Sequence, residues 1–422
     1  MDLRWTEREN AFRAEARSWL VEHLAAWHDR HGGADAVRSG DTRVGFAQHL
    51  DWERDLHAGG WAAVSWPERY GGRGASLWEW LILEEEYYRA GCPPRVTQNG
   101  IFLLAPTVFE FGSQPQQDHV LPRMAAAEDL WCQGWSEPNA GSDLAGIRAL
   151  AVRTDGGWVL NGQKTWTTRG AFCTHLFGLF RTDPEAERHR GLSYLLVPLT
   201  GPGVTVRGFG RLDGDEGFAE VFFEDAFLAD DAVPGGVVLG EVGQGWSVAM
   251  ATTGSERGLT LRSPGRFLAT AERLIELYWQ RESRAGADAR ASTAVSAAGA
   301  GRADHAEQVN ARTSRSNSSS LRDRVVDGWM RAEAYSLFTL DTVTRLVGGA
   351  TMGAESSVNK IWWSELDCDL HQIALDLLGP DAELEGAWSK GWQFALSGPI
   401  YAGTNEIQRN IAAERVLGLP RR

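Results

Sequence analysis

The chain has 422 residues, of which 43% are hydrophobic and 23% are charged, which is the composition of an ordinary globular protein. Its formal net charge of -14 argues against a surface that binds nucleic acid or an anionic membrane. The charged first residues, M-D-L-R-W-T-E-R, do not predict a signal peptide, and no apolar run approaches the roughly 20 residues of a membrane span.

The first third of the chain is predicted to be helical. Apolar residues recur at helical spacing between charged positions in three stretches, which lie at 12–20, 78–90 and 101–126. A connection punctuated by glycine and proline, G-W-A-A-V-S-W-P-E-R-Y-G-G, separates the first stretch from the second. We therefore expect an N-terminal helical domain over residues 1–127.

The middle of the chain changes to short runs typical of β-strands, such as L-S-Y-L-L-V-P and F-A-E-V-F-F. Asn161-Gly162 is a strong signal for a hairpin turn between two strands. These runs predict a β domain, barrel-like in character, over residues 128–241.

Helical patterns return after this region and predict a C-terminal helical domain over residues 242–422. One segment within it, 284–320, is rich in Ala, Ser, Gly and Arg and has hardly any large apolar side chain. It can contribute little to a core, and we expect it to be a disordered insertion between two helices. The fold class is thus α+β and multidomain, in the order helices, β domain, helices.

Two segments of the β domain carry the most chemical information. W-S-E-P-N-A-G-S-D (135–143) is by default a turn with good capping residues, although it also offers backbone N–H groups and the Ser136 hydroxyl. N-G-Q-K-T-W-T-T (161–168) is by default a turn and its second strand, although a flat tryptophan beside threonine hydroxyls equally suits a planar aromatic cofactor.

The cysteines predict neither a disulfide framework nor a metal site, and they fit a reducing cytoplasm; they are Cys92, Cys132, Cys173 and Cys368.

Together with three further motifs, these segments make the chain resemble the acyl-CoA dehydrogenase family of flavoproteins nearly from end to end. The further motifs are G-W-A-A-V-S-W-P-E-R-Y-G-G, V-L-G-E-V-G-Q-G-W and A-G-T-N-E-I-Q-R-N-I. The resemblance implies a C-terminal four-helix bundle, and FAD between it and the β domain. It also implies oxidation of an acyl-CoA in fatty acid metabolism, with an electron-transfer flavoprotein as acceptor.

The resemblance also assigns binding roles to particular residues. Backbone groups of Trp135 and Ser136, with the Ser136 hydroxyl, would meet the flavin; Thr168 would hydrogen-bond near its reactive nitrogen. The other implied cofactor contacts are Trp166 and Thr167 in the β domain and Thr404 and Glu406 in the last motif. The implied substrate contacts are Ser142, Arg257 and Tyr401.

The catalytic base is the sharpest question, because many family members have a glutamate where this chain has Ala402. In other branches the base lies in a Glu-Arg pair on the first bundle helix, which here is Glu256-Arg257. The resemblance then implies Glu256 as the base and leaves the Ala402 backbone N–H to bind the thioester oxygen. The alternative is that Glu256 has no catalytic role and is an exposed or capping carboxylate at a helix start.

Two departures from the family pattern bear on the FAD site. The usual R-x-x-F-G is missing, and either Arg281 or Arg284 could supply its arginine; the usual glutamine before Gly-Gly is replaced by L-D-L-L-G-P. These changes keep open a second function, a partner subunit without its own turnover in a mixed assembly. We expect a homo- or hetero-oligomer, a dimer or tetramer; a flavin oxidase of the same fold is a third possibility that no sequence feature favours.

Overall fold

The computed structural model describes residues 4–257, 263–298 and 305–421. The side chains of residues 255–257 and 285–319 lie outside this description. The chain divides into two compact units, Met1–Arg262 and Ser263–Arg422, and each is treated by itself below.

The first unit begins with helices whose ends are set by local side chains. Thr6 and Ser76 each form a capping box with the glutamate three residues later, which satisfies backbone N–H groups at the start of α1 and α3. Trp27 and Trp52 are fully buried between these helices. The helices are α1 (Glu7–Arg30), α2 (Arg43–Ala58), α3 (Leu77–Arg89), α4 (Ala105–Phe111) and α5 (Gln114–Ala125), with a π-helical turn at Asn99–Leu104 before α4.

A seven-stranded sheet follows in the same unit. Its order is β1-β4-β2-β3-β7-β6, and β5 pairs with β4. The β1–β4 and β2–β4 pairs are parallel and the others are antiparallel. The strands are β1 (Trp131–Gly134), β2 (Leu150–Thr154), β3 (Gly157–Thr168), β4 (His175–Arg181), β5 (Leu192–Pro198), β6 (Val204–Phe209) and β7 (Phe218–Ala229).

The predicted hairpin turn at Asn161-Gly162 is wrong, because both residues lie inside β3. The β2–β3 turn is instead Asp155-Gly156, between the paired residues Thr154 and Gly157. Gly156 has a φ of 75°, which glycine adopts without strain in a two-residue hairpin loop. Gly162, with a φ of 138°, lies at an irregularity in the β3–β7 pairing. At this irregularity Asn161 alone lies opposite two residues of β7, Glu224 and Asp225, so the extra residue belongs to β7.

The first unit ends with α6 (Gly245–Arg257), whose Val248 and Ala249 join the buried core around the sheet. The predicted order of helices, β domain and helices is confirmed. The domain boundaries at 127/128 and 241/242 stay predictions.

The second unit is helical and has its own core. Phe267, Tyr335 and Trp363 form part of this core, with ring centroids of Phe267 and Tyr335 5.3 Å apart. Its helices are α7 (Pro264–Ala298), α8 (His305–Val347), α9 (Ser356–Leu378), α10 (Ala387–Ala395) and α11 (Asn405–Ile411). Within the described ranges, no helix is long and apolar enough to cross a membrane.

The structure differs from the predicted disordered insertion at 284–320. Helix α7 continues to Ala298 and α8 begins at His305, while residues 299–304 lie outside the described residues. The physical reason is composition: alanine has the highest helix propensity and arginine is close behind, so a stretch that cannot build a core can still continue a helix.

Candidate functional site

The W-S-E-P-N segment is fastened to β3 by a buried ion pair. The Lys164 ammonium group, which is fully buried, lies 2.8 Å from a Glu137 carboxylate oxygen. The same carboxylate accepts hydrogen bonds from the backbone N–H groups of Arg148 and Ala149. Burial lowers the pKa of Lys164 to about 8, although Glu137 opposes this shift. Next to the pair, the Thr165 N–H donates a 2.9 Å hydrogen bond to the Ser136 carbonyl. The two predicted cofactor-binding segments are thus brought together.

The end of β3 presents an aromatic ring to solvent. Trp166 has a φ of 57°, and the β3–β7 register shifts between Lys164 and Thr167. The Trp166 side chain is 61% exposed, and its ring contacts the edges or faces of Phe209 and Phe218 at centroid distances of 5.3 and 5.5 Å. A large exposed ring held this way offers a flat surface to a planar ligand.

Thr167 and Thr168 follow on the same strand end. The Thr167 hydroxyl is buried and has no hydrogen-bond partner among the described residues. Thr168 is half-buried and pairs with Phe218. The indole N–H of Trp135, at the neighbouring end of β1, is likewise buried without a partner in the described part of the chain. Unpaired buried polar atoms are costly, so a ligand that pairs with them would be stabilised.

An ion-pair cluster anchors this strand end to the helical region. Arg169, with a φ of 55°, donates from Nε to Asp41 at 2.6 Å, and Arg211 also binds Asp41. Burial raises the pKa of the Asp41 carboxyl, but the two arginines outweigh it and lower the pKa overall. The residue after Thr168 is therefore held in an uncommon backbone conformation by a charged contact distant in sequence.

Ser142 lies on an exposed loop whose neighbouring residues line a cavity. This cavity of about 500 Å³ is lined by Asn139, Arg148, Gln163 and Arg188 among others. Arg188 forms an ion pair with Asp143, the residue next to Ser142. The cavity thus has two arginines in its lining, a set that suits the polar part of a ligand, and Ser142 precedes the lining residue Asp143 in the chain.

Helix α6 is tied to the sheet by a chain of buried hydroxyl groups. Thr252 contacts the Thr107 hydroxyl at 2.8 Å and the Tyr194 hydroxyl at 3.3 Å. Glu256 lies four residues further along this helix. The side chains of Glu256 and Arg257 lie outside the described residues, so their roles stay predictions.

The remaining predicted residues lie in the second unit, in the turn before α11. Ala402 and Gly403 have φ angles of 57° and 77°. The Gln408 side chain, which is fully buried, donates to the carbonyls of Ala402 and Gly403 at 3.0 and 3.4 Å. Among the described residues, the Ala402 N–H has no hydrogen-bond acceptor. The turn therefore presents a free backbone donor.

The other residues of this turn have structural contacts of their own. The Thr404 side chain caps α11 by accepting from the Ile407 N–H at 3.3 Å. Backbone hydrogen bonding at the helix start lowers the pKa of the exposed Glu406 carboxyl. The Tyr401 ring lies 5.9 Å from that of Trp363 in the core of the second unit.

Sequence reasoning missed the residues that hold these segments in place: Asp41, Glu137, Lys164, Arg169, Thr252 and Gln408. Two of them had a readable signal, because Glu137 and Lys164 stand inside the two motifs, and a lysine on a strand next to buried positions requires a partner. Asp41 and Thr252 had none, since their partners are distant in sequence.

The chain belongs to the acyl-CoA dehydrogenase family. Models of the family's N-terminal, middle and C-terminal domains match residues 6–128, 132–226 and 283–417. The chain is 36% identical over 417 residues to "Acyl-CoA dehydrogenase IpdE1" of Mycobacterium tuberculosis, with 97% of each protein covered. An IpdE1 protein of Mycolicibacterium smegmatis is also 36% identical, over 429 residues, and again 97% of each is covered.

Solved structures agree with this assignment. The ChsE4-ChsE5 complex from Mycobacterium tuberculosis matches with a TM-score of 0.74 and 26% identity, and both chains are covered completely. A structure titled "Tcur3481-Tcur3483 steroid ACAD" matches with a TM-score of 0.77 over the whole of both chains; at 23% identity it shows the fold alone. The predicted fold and the enzyme class, an oxidoreductase acting on a CH–CH group, are confirmed.

FAD is the cofactor of this family, and the first unit fits it on structural grounds. At the end of β3 the Trp166 ring is exposed, and the buried hydroxyl of the next residue, Thr167, has no partner among the described residues. An exposed aromatic face and a polar atom that still lacks a partner are features that a planar flavin ring with a hydrogen-bonding edge can use. The sequence prediction of FAD is confirmed.

Proposed function

We propose that this chain oxidises an acyl-CoA, or another acyl thioester, to the trans-2-enoyl thioester and passes the electrons to an electron-transfer flavoprotein. The observation that carries the proposal is the exposed Trp166 ring, at the irregularity in β3 between Lys164 and Thr167, together with the unpaired hydroxyl of the following residue, Thr167. The family assignment over the whole chain supports the same reaction.

In this proposal Glu256 is the base that removes the proton from the carbon next to the thioester carbonyl. That proton is weakly acidic, so its removal by the carboxylate requires stabilisation of the negative charge that develops on the thioester. The Ala402 N–H would donate a hydrogen bond to the thioester oxygen, where negative charge develops; one such donor is worth about 10²–10³ in rate. FAD, when bound, supplies the acceptor for the hydride from the β carbon. The left-handed conformation of Ala402 supports this role, because it leaves the N–H without an acceptor among the described residues.

The other residues would bind and orient. Trp135, Ser136, Trp166, Thr167 and Thr168 would hold the flavin ring, and Thr404 and Glu406 would contact the cofactor from the last motif. Ser142, Arg257 and Tyr401 would contact the acyl-CoA. Arg281 is a better candidate than Arg284 for the role of the arginine in the missing R-x-x-F-G motif. The Nη1 atom of Arg281 is buried and has no partner among the described residues, whereas Arg284 is exposed.

A second function is a partner subunit in a mixed acyl-CoA dehydrogenase assembly. It is favoured by Ala402, which has no carboxylate, and by the titles of two structural matches that name pairs of chains. Exposed apolar side chains on α8 and α9, among them Met330 and Trp362, support an oligomer of either kind.

The experiment is the absorbance spectrum of the purified chain, recorded anaerobically before and after addition of a panel of acyl-CoAs. The proposed enzyme is yellow, and the absorbance of its oxidised flavin is lost on addition of at least one thioester. Colourless protein that becomes yellow and active only with a second chain supports the partner-subunit function. Flavin-loaded protein that no acyl-CoA reduces contradicts the first proposal.

A further inference from the structure

Three buried hydroxyl groups meet inside the first unit, and each belongs to a different element. Thr107 lies on α4, Tyr194 on β5 and Thr252 on α6. The Thr252 hydroxyl lies 2.8 Å from that of Thr107 and 3.3 Å from that of Tyr194. None of these three residues is more than 1% exposed, so water does not compete for the contacts. We call the three groups the hydroxyl network.

The hydroxyl network is tied to the backbone as well. The Thr107 hydroxyl donates to the Leu103 carbonyl at 3.2 Å, and the Thr252 hydroxyl donates to the Val248 carbonyl at 3.1 Å. Each carbonyl lies four residues earlier in the chain. Removing one member of such a buried network leaves its partners without a hydrogen bond, so the members act together.

Tyr194 connects the hydroxyl network to the W-S-E-P-N segment. Its ring packs edge to face against that of Trp135, with centroids 6.2 Å apart and an interplanar angle of 84°. Trp135 is buried, and the carbonyl of the next residue, Ser136, accepts a hydrogen bond from the Thr165 N–H. A shift of Tyr194 is therefore passed to the segment that the proposed function assigns to the flavin ring.

Thr252 connects the hydroxyl network to α6 near the end of that helix. The next side chain, that of Thr253, donates to the Met250 carbonyl within the helix. A Cβ added to Gly254 would meet no described atom of another element within 4 Å. Among the described side chains of α6, that of Thr252 is thus the last one with a hydrogen bond to another element. Glu256, the proposed base, lies four residues later on the same helix.

The proposed reaction depends on the distance between these two parts of the unit. The α-carbon proton would go to Glu256 and the β-carbon hydride to the bound FAD, so the acyl chain must lie between the base and the flavin. Both transfers need close approach, and a displacement of about 1 Å that originates far from the reacting atoms can cost roughly 10² in rate.

We propose that Thr252 and Tyr194 are positioning residues for this reaction, and that their hydroxyl contact fixes the distance between the flavin-binding segment and the helix that carries Glu256. The proposal rests on the proposed dehydrogenation and specifies how the chain sets its geometry. Neither residue touches the thioester or the flavin ring in this role; Tyr194 acts through Trp135, and Thr252 acts through α6.

The test uses the flavin-loaded protein and the acyl-CoA that bleaches the wild type fastest. Stopped-flow absorbance gives the limiting rate of bleaching per bound flavin for Thr252→Val, Thr252→Ser and Tyr194→Phe. Thr252→Val and Tyr194→Phe should lower this rate by about tenfold or more, because neither keeps the contact. The acyl-CoA concentration that gives half of the limiting rate should not change. Thr252→Ser keeps a hydroxyl group and should stay close to the wild-type rate.

Thr339→Val is the matched control. Thr339 is buried in the second unit, and its hydroxyl donates to the Tyr335 carbonyl at 2.9 Å, four residues earlier in the same helix. Thr252 makes the same kind of backbone contact, but only Thr252 also belongs to the hydroxyl network. Thr339→Val should lower the urea midpoint of unfolding and leave the limiting rate of bleaching unchanged.

A second readout does not depend on turnover. The urea midpoint of a variant that carries both Thr252→Val and Tyr194→Phe should fall by less than the sum of the two single losses. The reason is that both changes remove one shared contact, which can be lost only once. Additive losses would show that the two hydroxyl groups do not interact and would overturn the proposal.

The kinetic outcomes separate the positioning role from the dehydrogenation itself. A wild-type limiting rate in Thr252→Val, or an equally large loss in Thr252→Ser, overturns the positioning role while the dehydrogenation stands. Flavin-loaded wild type that no acyl-CoA bleaches overturns both.

Discussion

The side-chain amide of Gln408 donates a 3.0 Å hydrogen bond to the backbone carbonyl of Ala402. This contact, with a second one to the Gly403 carbonyl, holds two consecutive residues in left-handed conformations. For Ala402 that conformation costs roughly 1–2 kcal/mol, so the turn needs external support. The direction of the Ala402 N–H therefore depends on a buried glutamine six residues away.

We expect Gln408→Leu to lower the free energy of unfolding by about 1–3 kcal/mol, because two carbonyls lose their donor. Thioester turnover should fall as well, since the Ala402 N–H loses its fixed direction. Urea unfolding and steady-state kinetics provide the measurements. Gln280→Leu, at an exposed position of α7 in the same unit, serves as control and should change stability by less than about 0.5 kcal/mol. Equal effects of the two variants would show that the Gln408 contacts do not support the turn.

Breaking the Lys164–Glu137 pair should be strongly destabilising. Lys164→Met leaves the Glu137 carboxylate with two backbone donors but no countercharge, and we expect a loss of about 3–5 kcal/mol in the free energy of unfolding. The comparison is Arg153→Met, which removes an ion pair with Asp230 whose side chains are both about half exposed. That change should cost no more than about 1 kcal/mol. Similar losses in chemical denaturation would contradict the buried role of Lys164.

Glu256→Gln should abolish most of the reaction without removing the cofactor. If Glu256 is the base, the rate of flavin bleaching by an acyl-CoA should fall by about 10²–10⁴ while the absorbance of bound flavin is unchanged. Stopped-flow absorbance measures both. Glu241→Gln, an exposed glutamate shortly before α6, is the control and should bleach at the wild-type rate. Wild-type bleaching in Glu256→Gln would leave that residue as a helix-end carboxylate.

Glu84 should make stability depend on pH. Burial raises its pKa from 4.5 to about 7 in the folded chain, with Arg95 as the opposing charge, so the folded state holds the proton more tightly than the unfolded state. The contribution of Glu84 to stability is therefore greatest below pH 4.5 and is lost as the pH rises to 7. The loss is on the order of 3 kcal/mol.

Glu84→Gln has no such titration. Relative to wild type, this variant should gain stability between pH 4.5 and 7 and then stay level, as measured by urea unfolding across that range. A difference between the two proteins that does not change with pH would show that Glu84 keeps an ordinary pKa.

Much of this protein could be read from the sequence, because its strongest signals are local. Helix starts such as Ser76 with Glu79 depend on residues three apart, and the order of helical and β segments follows from short-range periodicity. Motifs such as W-S-E-P-N and A-G-T-N-E are contiguous, so the sequence alone carries the resemblance to the family. The Asn161-Gly162 error has the same origin: the pair is a turn signal by its residue types, and only the pairing with β7 shows that it lies within a strand.

The tertiary structure decided which groups have partners. Arg169 meets Asp41 across 128 residues of sequence, and Thr252 meets Thr107 across 145. Glu84 stands in a run of three glutamates in which Glu85 and Glu86 pair with Arg13, while Glu84 faces a cavity without a partner. Sequence spacing places these carboxyls on a helix. Their solvation, and hence their pKa and chemistry, depends on what the fold brings against each one.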